Sequence, residues 1–267
     1  MGALPAVSTT LRPSPALVRS TVLELLILTV HLLLYPTGVR QERRPPPVPP
    51  GAAEPGDRPP VLLLHGFIDN RSVFVLLRRS LRRHGWPLVE SHNYSPLTSD
   101  LRAAAVLFGR QVEELCARTG SPRIDVIGHS LGGLVARYYI QRLGGDARIR
   151  TLVTLATPHR GTRVAPLMSA HPLVRQLRPE SEVIAELAEP APGCGTRFIS
   201  FWSELDQVMV PVETARLDHP DLLSRNVRVS GVGHLALPVH WAVVASVREA
   251  LTTEEESGGT SEAVSVA

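Results

Sequence analysis

Short apolar runs alternate along this sequence with segments whose apolar residues recur at helical spacing. The first run covers residues 61–67, and Phe74, Leu77 and Leu81 then mark one face of a helix. Further strands are expected at residues 88–91, 124–127, 149–155, 197–202 and 227–232, with helices between most of them. Strands that are apolar throughout and joined by helices are typical of α/β proteins. The pattern predicts a mostly parallel, doubly wound sheet with helices on both faces.

The last helix is expected over residues 239–251 and carries Trp241, Val244 and Val247. Before it, residues 163–195 lose strand character and carry five prolines around two short apolar pieces. That composition fits a small helical cap, and it fits a plain surface excursion nearly as well. Residues 252–267 are acidic and rich in small side chains, so we expect a disordered tail.

The N-terminal part, residues 1–44, is a weakly basic arm with an apolar run over residues 21–35. This run suggests an anchor helix that associates with a membrane, although it is short for a full span. Glu24 and His31 lie seven residues apart and share one helical face, which a helix docked on protein tolerates better than a lipid-exposed one. The sequence leaves both interpretations open. No small-residue cleavage pattern follows the run, so we expect the helix to be retained.

The same segment indicates association with a membrane or export, but it does not indicate the side of the membrane. Arginines flank both ends of the apolar run, so the positive-inside rule gives no orientation. We expect a membrane-associated or exported protein, with the side of the membrane open.

Residues 45–60 are rich in proline and cannot bury much apolar surface, which predicts an extended tether. One domain, residues 61–251, then contains all the strands.

Composition excludes some functions. The formal net charge is only +3, and the arginines are interspersed with acidic residues, so we expect no nucleic-acid partner. The two cysteines, Cys116 and Cys194, do not have metal-ligand spacing. We therefore predict no metal site and no cofactor, and we leave a single disulfide open.

The chemistry centres on residues 124–134, where an apolar strand runs into a helix through Gly128-His129-Ser130-Leu131-Gly132. This is the G-x-S-x-G pattern of a nucleophile elbow. A sharp turn lifts the serine hydroxyl clear of the backbone, and glycines are needed where strand and helix approach closely. The pattern predicts Ser130 as a nucleophile.

Backbone N–H groups for an oxyanion are expected from two places. Leu131 follows the serine directly, and Phe67 follows His65-Gly66 at the end of the first strand. Donors in these positions can point at a negative charge that develops on the substrate. For His65 itself we expect a structural role in shaping the loop.

A base and an acid are expected on later loops at the same sheet edge. Asp206 follows the strand that ends at residue 202, and His234 follows the strand that ends near residue 232. We predict His234 as the base and Asp206 as the acid that orients it. The competing candidates are His219 and His240 for the base and Glu204 for the acid. A further histidine, His159, is expected at the rim of the site.

With these motifs the chain resembles bacterial lipases and esterases of the α/β-hydrolase superfamily, in particular secreted triacylglycerol lipases. The resemblance rests on five motifs: His65-Gly66-Phe67, residues 128–133, Thr157-Pro158-His159-Arg160-Gly161-Thr162, Asp206 with Val210-Pro211, and Gly233-His234. It implies an α/β-hydrolase fold with a triad in the order serine, acid, histidine. It also implies hydrolysis of carboxylic esters, with an ester or acylglycerol as substrate and no organic cofactor.

Two other functions stay open. An acyltransferase would use the same triad and acyl-enzyme but exclude water while an alcohol attacks. A non-catalytic binding module of the same fold is the third possibility, although binding makes no demand for serine, acid and histidine together.

Overall fold

The computed structural model describes residues 14–39, 58–67, 69–93, 100–164, 171–253 and 264–266. The helices are α1 (Pro15–Gly38), α2 (Val75–Arg83), α3 (Leu101–Thr119), α4 (Leu131–Arg142), α5 (Pro172–Arg175), α6 (Glu182–Ala188) and α7 (Trp241–Thr252). The strands are β1 (Val61–Leu64), β2 (Val89–His92), β3 (Ile124–His129), β4 (Ile149–Leu155), β5 (Arg197–Ser203), β6 (Leu223–Val229) and β7 (Val264–Val266).

The strands form a single parallel sheet in the order β2-β1-β3-β4-β5-β6-β7. Leu63 of β1, for example, pairs with Ser91 of β2 on one side and Ile127 of β3 on the other. The chain reverses its direction of travel across the sheet between β1 and β3. Such switch points leave a crevice at the carboxyl ends of the strands, where ligands bind in open α/β sheets.

Helices cover both faces of the sheet, and a hydrophobic core lies under each layer. On one face α3 and α4 bury Phe108 and Leu134 against β1 and β3. On the other face α2 and α7 bury Leu77 and Val247 against the same strands and β4. The predicted doubly wound α/β sheet with helices on both faces is confirmed.

Helix α1 is longer than the apolar run that predicted it. Pro15 occupies its first turn and the Ser14 hydroxyl accepts a hydrogen bond from Leu17 N at 3.2 Å, which fixes the start of the helix. The helix has 24 residues, and a stretch of 18 residues within it has a mean hydropathy of 1.9, so by length and composition it could cross a membrane. The helix nevertheless packs on the α/β domain, with Leu23 and Ile27 half-buried against the core beneath α2 and α7.

Two boundaries late in the chain were predicted wrongly. Strand β6 runs from Leu223 to Val229 instead of residues 227–232, because polar residues occupy its first half. Asn226 is buried there, and its side chain bonds to both backbone groups of Leu217, so the strand tolerates it. Helix α7 begins at Trp241, whose side chain is 75% exposed and does not join the core.

Predictions for the connecting segments have mixed outcomes. The tether falls mostly outside the described residues, but Arg58 is described and stacks over the Trp86 ring at 3.9 Å. Within residues 163–195 two short helices form, α5 and α6, and residues 165–170 lie outside the described part. Cys116 and Cys194 are free thiols, so they form no disulfide.

The C-terminal tail contains one ordered segment. Val264–Val266 pairs in parallel with β6 as the edge strand β7, so the expectation of disorder is wrong for these three residues. Two valines flanking a serine have high strand propensity, and the free edge of β6 offers them backbone partners. The rest of the tail after Thr253 lies outside the described residues.

Candidate active site

Ser130 sits in a strained turn between β3 and α4. Its φ of 52° and ψ of −122° are angles that side-chain-bearing residues rarely adopt. Its backbone N–H donates to the Leu155 carbonyl at 2.8 Å, and its own carbonyl accepts from the Thr157 hydroxyl at 2.9 Å. These bonds to β4 and the loop after it hold the turn in its strained conformation.

Glycines permit this turn, as the sequence predicted. A Cβ on Gly128 would lie 2.6 Å from the Cα of Gly133, and a Cβ on Gly133 would lie 1.9 Å from the Thr157 hydroxyl oxygen. A Cβ on Gly132 would approach the Leu64 carbonyl oxygen to 2.2 Å. Strand β3, helix α4 and the end of β1 therefore meet at distances that only glycine allows.

Asp206 and His234 form a hydrogen-bonded pair at the same edge of the sheet. Nδ1 of His234 lies 2.9 Å from Oδ2 of Asp206, and both side chains are buried. The other carboxylate oxygen accepts from the backbone N–H groups of Val208 at 2.8 Å and Met209 at 3.0 Å. Three hydrogen bonds thus fix the carboxylate of Asp206, and one of them is to the imidazole ring of His234.

The charge of each partner shifts the pKa of the other in the direction that favours an ion pair. Burial alone would lower the pKa of His234, but the charge and hydrogen bond of Asp206 outweigh it, and the pKa of His234 is raised. Burial alone would raise the pKa of Asp206, but His234 and the two backbone donors leave that pKa lowered. The pair is thus suited to stabilise a positive imidazole.

Ser130 is connected to this pair through its neighbour in the chain, His129. His129, the neighbour of Ser130, lies with its ring centroid 5.0 Å from that of His234, and its Nε2 is 3.2 Å from the His234 carbonyl oxygen. Within the described part of the chain, the Ser130 hydroxyl makes no hydrogen bond. Serine and histidine therefore share one edge, and the hydroxyl is available to a ligand.

The two segments that carry the expected oxyanion donors lie against each other. Leu131 is the first residue of α4, where backbone N–H groups lack partners within the helix. The loop after β1 lies directly against the elbow, because a Cβ on Gly66 would be 3.2 Å from the Cβ of Ser130. Phe67 follows in this loop, and its ring meets the ring of His171 edge-on at 5.0 Å.

The competing acid and bases occupy structural positions. Glu204 forms an ion pair with Arg228 at the surface. His219 bonds through Nε2 to the Glu189 carbonyl at 3.1 Å and through Nδ1 to a backbone N–H. His240 precedes α7 as its N-terminal cap residue, whereas the sequence placed it inside the helix.

Two further histidines are buried. His159 was expected at the rim of the site, but it is almost fully buried, and its Nε2 lies 2.9 Å from the Thr154 hydroxyl. Its carbonyl accepts from Arg137 at 2.9 Å, so it belongs to the framework behind the elbow. His65 is buried with Nδ1 2.9 Å from the Gly66 carbonyl, which fits the expected loop-shaping position.

Sequence reasoning missed three charged or titratable groups near His234. A carboxylate oxygen of Asp69 lies 3.7 Å from Nδ1 of the buried His129. Burial alone would raise the pKa of Asp69, but the interaction with His129 outweighs it, and the pKa of Asp69 is lowered. Glu24 of α1 reaches the loop that carries His234. A glutamate within an apolar run was a signal for this contact, because an uncompensated charge is rare on a helix that faces only lipid.

Comparisons with known proteins agree with the fold. The model of a family described as palmitoyl protein thioesterase matches residues 60–191. A triacylglycerol lipase of Pseudarthrobacter phenanthrenivorans is 30% identical over 118 residues, which is 40% of this chain and 35% of the relative. A triacylglycerol lipase of Vibrio cholerae is 29% identical over 136 residues, 49% of this chain and 40% of the relative. The matched segments thus span well under half the length of these relatives.

Solved structures extend the likeness to most of the chain. The mature form of a Bacillus licheniformis lipase superposes with a TM-score of 0.63 and 13% identity, covering 76% of this chain and 96% of that one. Aspergillus fumigatus lipase B gives a TM-score of 0.69 and 16% identity, covering 87% of this chain and 68% of that one. At such identities the likeness concerns the fold.

Proposed function

We propose that this chain, which belongs to the α/β-hydrolase superfamily and is of its lipase and esterase type, hydrolyses carboxylic esters through an acyl-enzyme on Ser130. The hydrogen bond between Asp206 and His234 carries the proposal, because it joins an acid and a base at the edge that holds a strained serine. A framework role would not require these three groups at one edge.

In the proposed reaction His234 is the general base. Its Nδ1–H donates to Asp206, which leaves the lone pair of Nε2 to accept the proton of the Ser130 hydroxyl. The serine oxygen then attacks the ester carbonyl, and the protonated His234 returns the proton to the leaving alcohol. Water hydrolyses the acyl-enzyme by the same steps, with His234 again taking the proton.

The tetrahedral intermediates place a negative charge on the former carbonyl oxygen. We assign its stabilisation to the backbone N–H groups of Phe67 and Leu131, which lie on the two segments that meet at the elbow. Preformed donors of this kind stabilise charge that develops only during the reaction, and loss of one costs about 10²–10³ in kcat in the best-studied case.

The substrate we propose is a lipid ester, such as an acylglycerol, met at a membrane. Support comes from the triacylglycerol lipases among the relatives and from the outer face of α1, where Leu26, Leu32 and Leu33 are all more than half exposed. Burial of such a face in lipid releases about 25 cal/mol per Å² of apolar surface. Residues 21–35 would thus associate with the membrane while the opposite side of α1 contacts the domain.

Hydrolysis of an acyl thioester is the second candidate. It is favoured by the match of the palmitoyl protein thioesterase family to residues 60–191, which include Ser130 and both oxyanion donors. The same nucleophile and the same tetrahedral intermediate serve both reactions. The two functions differ in the leaving group, a thiol in one and an alcohol in the other.

Fluorophosphonate labelling tests the nucleophile. We expect wild-type protein to be labelled and Ser130→Ala to remain unlabelled and inactive, since only binding and oxyanion stabilisation survive the change. Ser80→Ala, a serine on α2 remote from the sheet edge, is the matched control and should be labelled normally. Normal labelling of Ser130→Ala would overturn the assignment.

Substrate class is then measured with matched acyl chains. A p-nitrophenyl ester series of increasing length and the corresponding acyl thioesters, with released thiol as readout, separate lipase-like from thioesterase-like preference. Addition of an alcohol acceptor identifies an acyltransferase if ester product forms at the expense of free acid. Absence of turnover and of labelling would leave the binding module as the function.

A further inference from the structure

Helix α1 contacts the domain with a mixed face, in which polar residues lie beside the apolar Leu23 and Ile27, and it turns its other apolar residues outward. Ser20 and His31 are buried, Glu24 is half-buried between them, and these three positions share one helical face. On the opposite face Leu33 is 74% exposed. A helix that docks on a soluble domain usually buries its apolar stripe against the core, whereas much of the apolar surface of α1 faces away from the domain. Polar contacts therefore help to fix where α1 docks, together with the packing of Leu23 and Ile27.

These contacts lie along the edge of the sheet that holds the candidate triad. Near its start, Thr21 accepts a hydrogen bond at 2.9 Å from Gln207, the residue after the acid Asp206. Near its end, the Tyr35 carbonyl accepts from Asn70 at 2.9 Å, in the loop after β1. Between these points α1 passes over the loop that carries His234.

Glu24 makes the central contact. Its Oε2 accepts the backbone N–H of Leu235 at 2.8 Å, and its Oε1 accepts that of Ala236 at 2.9 Å. A Cβ on Gly233 would lie 2.6 Å from the Glu24 carboxyl carbon, so the helix touches the loop on both sides of His234. Charge-assisted bonds to two consecutive N–H groups are stronger and more directional than neutral ones.

We propose that α1 is part of the active site and that Glu24 is a positioning residue, which holds the His234 loop in the geometry that lets the imidazole reach Ser130. The proposal rests on the proposed function, since it assigns a task to Glu24 only if His234 is the base. His234 is then fixed at three points. Asp206 holds its ring, His129 contacts its carbonyl oxygen, and Glu24 holds the two residues after it.

The charge of Glu24 also acts on the imidazole. Four titratable groups face His234: Asp206 from the loop after β5, Glu24 from α1, Asp69 from the loop after β1, and His129 from β3. Three of them are carboxylates, and each favours the protonated ring. Because the base must be neutral to accept the serine proton, kcat/KM rises with pH through the pKa of His234. Loss of the Glu24 charge should move this rise to lower pH.

The test uses full-length protein in detergent and a short, water-soluble p-nitrophenyl ester. Glu24→Gln removes the charge and turns an amide NH₂ toward a backbone N–H, at nearly constant size. We expect kcat to fall by about 10²-fold, the effect of a small misplacement of a catalytic group, with little change in KM. The acid limb of the kcat/KM profile should move to lower pH.

Glu24→Asp separates charge from reach. It keeps the charge but is one methylene shorter, so we expect the acid limb to stay near its wild-type position and kcat to recover in part. Glu249→Gln, an exposed glutamate on α7, is the charge-matched control and should leave kcat and the pH profile unchanged. Melting temperatures recorded for all variants separate positioning from loss of fold.

Three outcomes overturn the positioning role. The first is wild-type kcat and an unmoved acid limb in Glu24→Gln. The second is an equal loss in both Glu24 variants that tracks the melting temperature while the acid limb stays in place. The third concerns the case in which Glu24→Gln does not fold. Glu24→Asp is then the deciding variant, and a wild-type kcat in Glu24→Asp rejects the role. Failure of the proposed function looks different, because Ser130→Ala would then keep its activity whatever the Glu24 variants do.

Discussion

Replacement of Gly133 by alanine tests the packing that sets the angles of the elbow. The added methyl group would lie 1.9 Å from the Thr157 hydroxyl oxygen and 2.9 Å from both Thr157 Cβ and Cγ2. These are side-chain atoms, so the threonine must move. The movement breaks the 2.9 Å bond that Thr157 donates to the Ser130 carbonyl. The same substitution at Gly128 would collide with the Gly133 backbone at 2.6 Å, which no change of Thr157 relieves.

The size of the effect follows from two losses. Overpacking of a close-packed site costs about 1–3 kcal/mol and loss of one hydrogen bond costs about 1 kcal/mol, so Gly133→Ala should destabilise the domain by about 2–4 kcal/mol. For a domain of this length the melting temperature falls by about 2–4 °C per kcal/mol. Labelling of Ser130 by a fluorophosphonate should slow as well, because the turn relaxes.

A double-mutant cycle with Thr157→Ala provides the assay. The alanine removes the hydroxyl and methyl groups that collide and leaves only Cβ, so the double variant should be more stable than the sum of the two single changes predicts. Melting temperature and labelling rate are measured for both singles and the double. Thr157→Ala combined with Gly128→Ala is the matched control and should show simple additivity or no rescue.

Two results would refute this reasoning. Wild-type stability and labelling in Gly133→Ala would mean that helix α4 and the loop that carries Thr157 are not as close as the structure has them. Equal rescue of Gly128→Ala by Thr157→Ala would mean that the two glycines do not differ in what they face. Either outcome would remove the packing argument for the strained turn at Ser130.

Two more predictions concern the pair of acid and base, and a third concerns helix α1. Asp206→Asn should lower kcat by about 10⁴-fold with the fold intact, because an amide holds the imidazole in the wrong tautomer. Glu204→Gln is the control and should lose only the surface ion pair with Arg228. If ester assays gave the reverse result, Glu204 would have to be assigned as the acid. Since the pKa of His234 is raised, kcat/KM should fall as pH drops through a value above about 6.5, and an acid limb at or below that value would contradict the charge arrangement. Removal of residues 1–57 takes away α1 and its contacts with the His234 loop, so it should reduce the rate on short soluble esters and lower the melting temperature. Both are measured against full-length protein in the same detergent. Full activity of the shortened protein would show that the domain does not need α1.

Local patterns made much of the fold and of the candidate site predictable. The sharp turn at Ser130 could be predicted because the elbow is encoded in neighbouring residues, and the meeting of Asp206 and His234 because each follows a strand of a parallel sheet. The start of β6 was missed because Asn226 is polar, and only the tertiary bonds to Leu217 show how the sheet accommodates it. The start of α7 was placed two residues early, and the exposure of Trp241 could not be read from the pattern because an apolar side chain in the first turn of a helix can face solvent as well as core.

The position of α1 shows the limit of sequence reasoning most clearly. Glu24 and His31 marked one face as unsuited to lipid, but nothing in a one-dimensional pattern says which part of the domain receives that face. The partners are backbone N–H groups of Leu235 and Ala236, which carry no side-chain signature. Contacts made to backbone are therefore the part of a site that a sequence conceals best.

The docking of α1 is intramolecular, since residues 40–57 connect it to Arg58 of the domain. Two separate molecules would lose translational and rotational freedom on association, at an estimated cost of about 4–15 kcal/mol. A covalent connection avoids most of that loss, so a few hydrogen bonds can hold α1 where a free peptide of the same sequence would bind poorly. Occupancy of the Glu24 contact should accordingly be independent of protein concentration, and dilution should leave the specific activity unchanged.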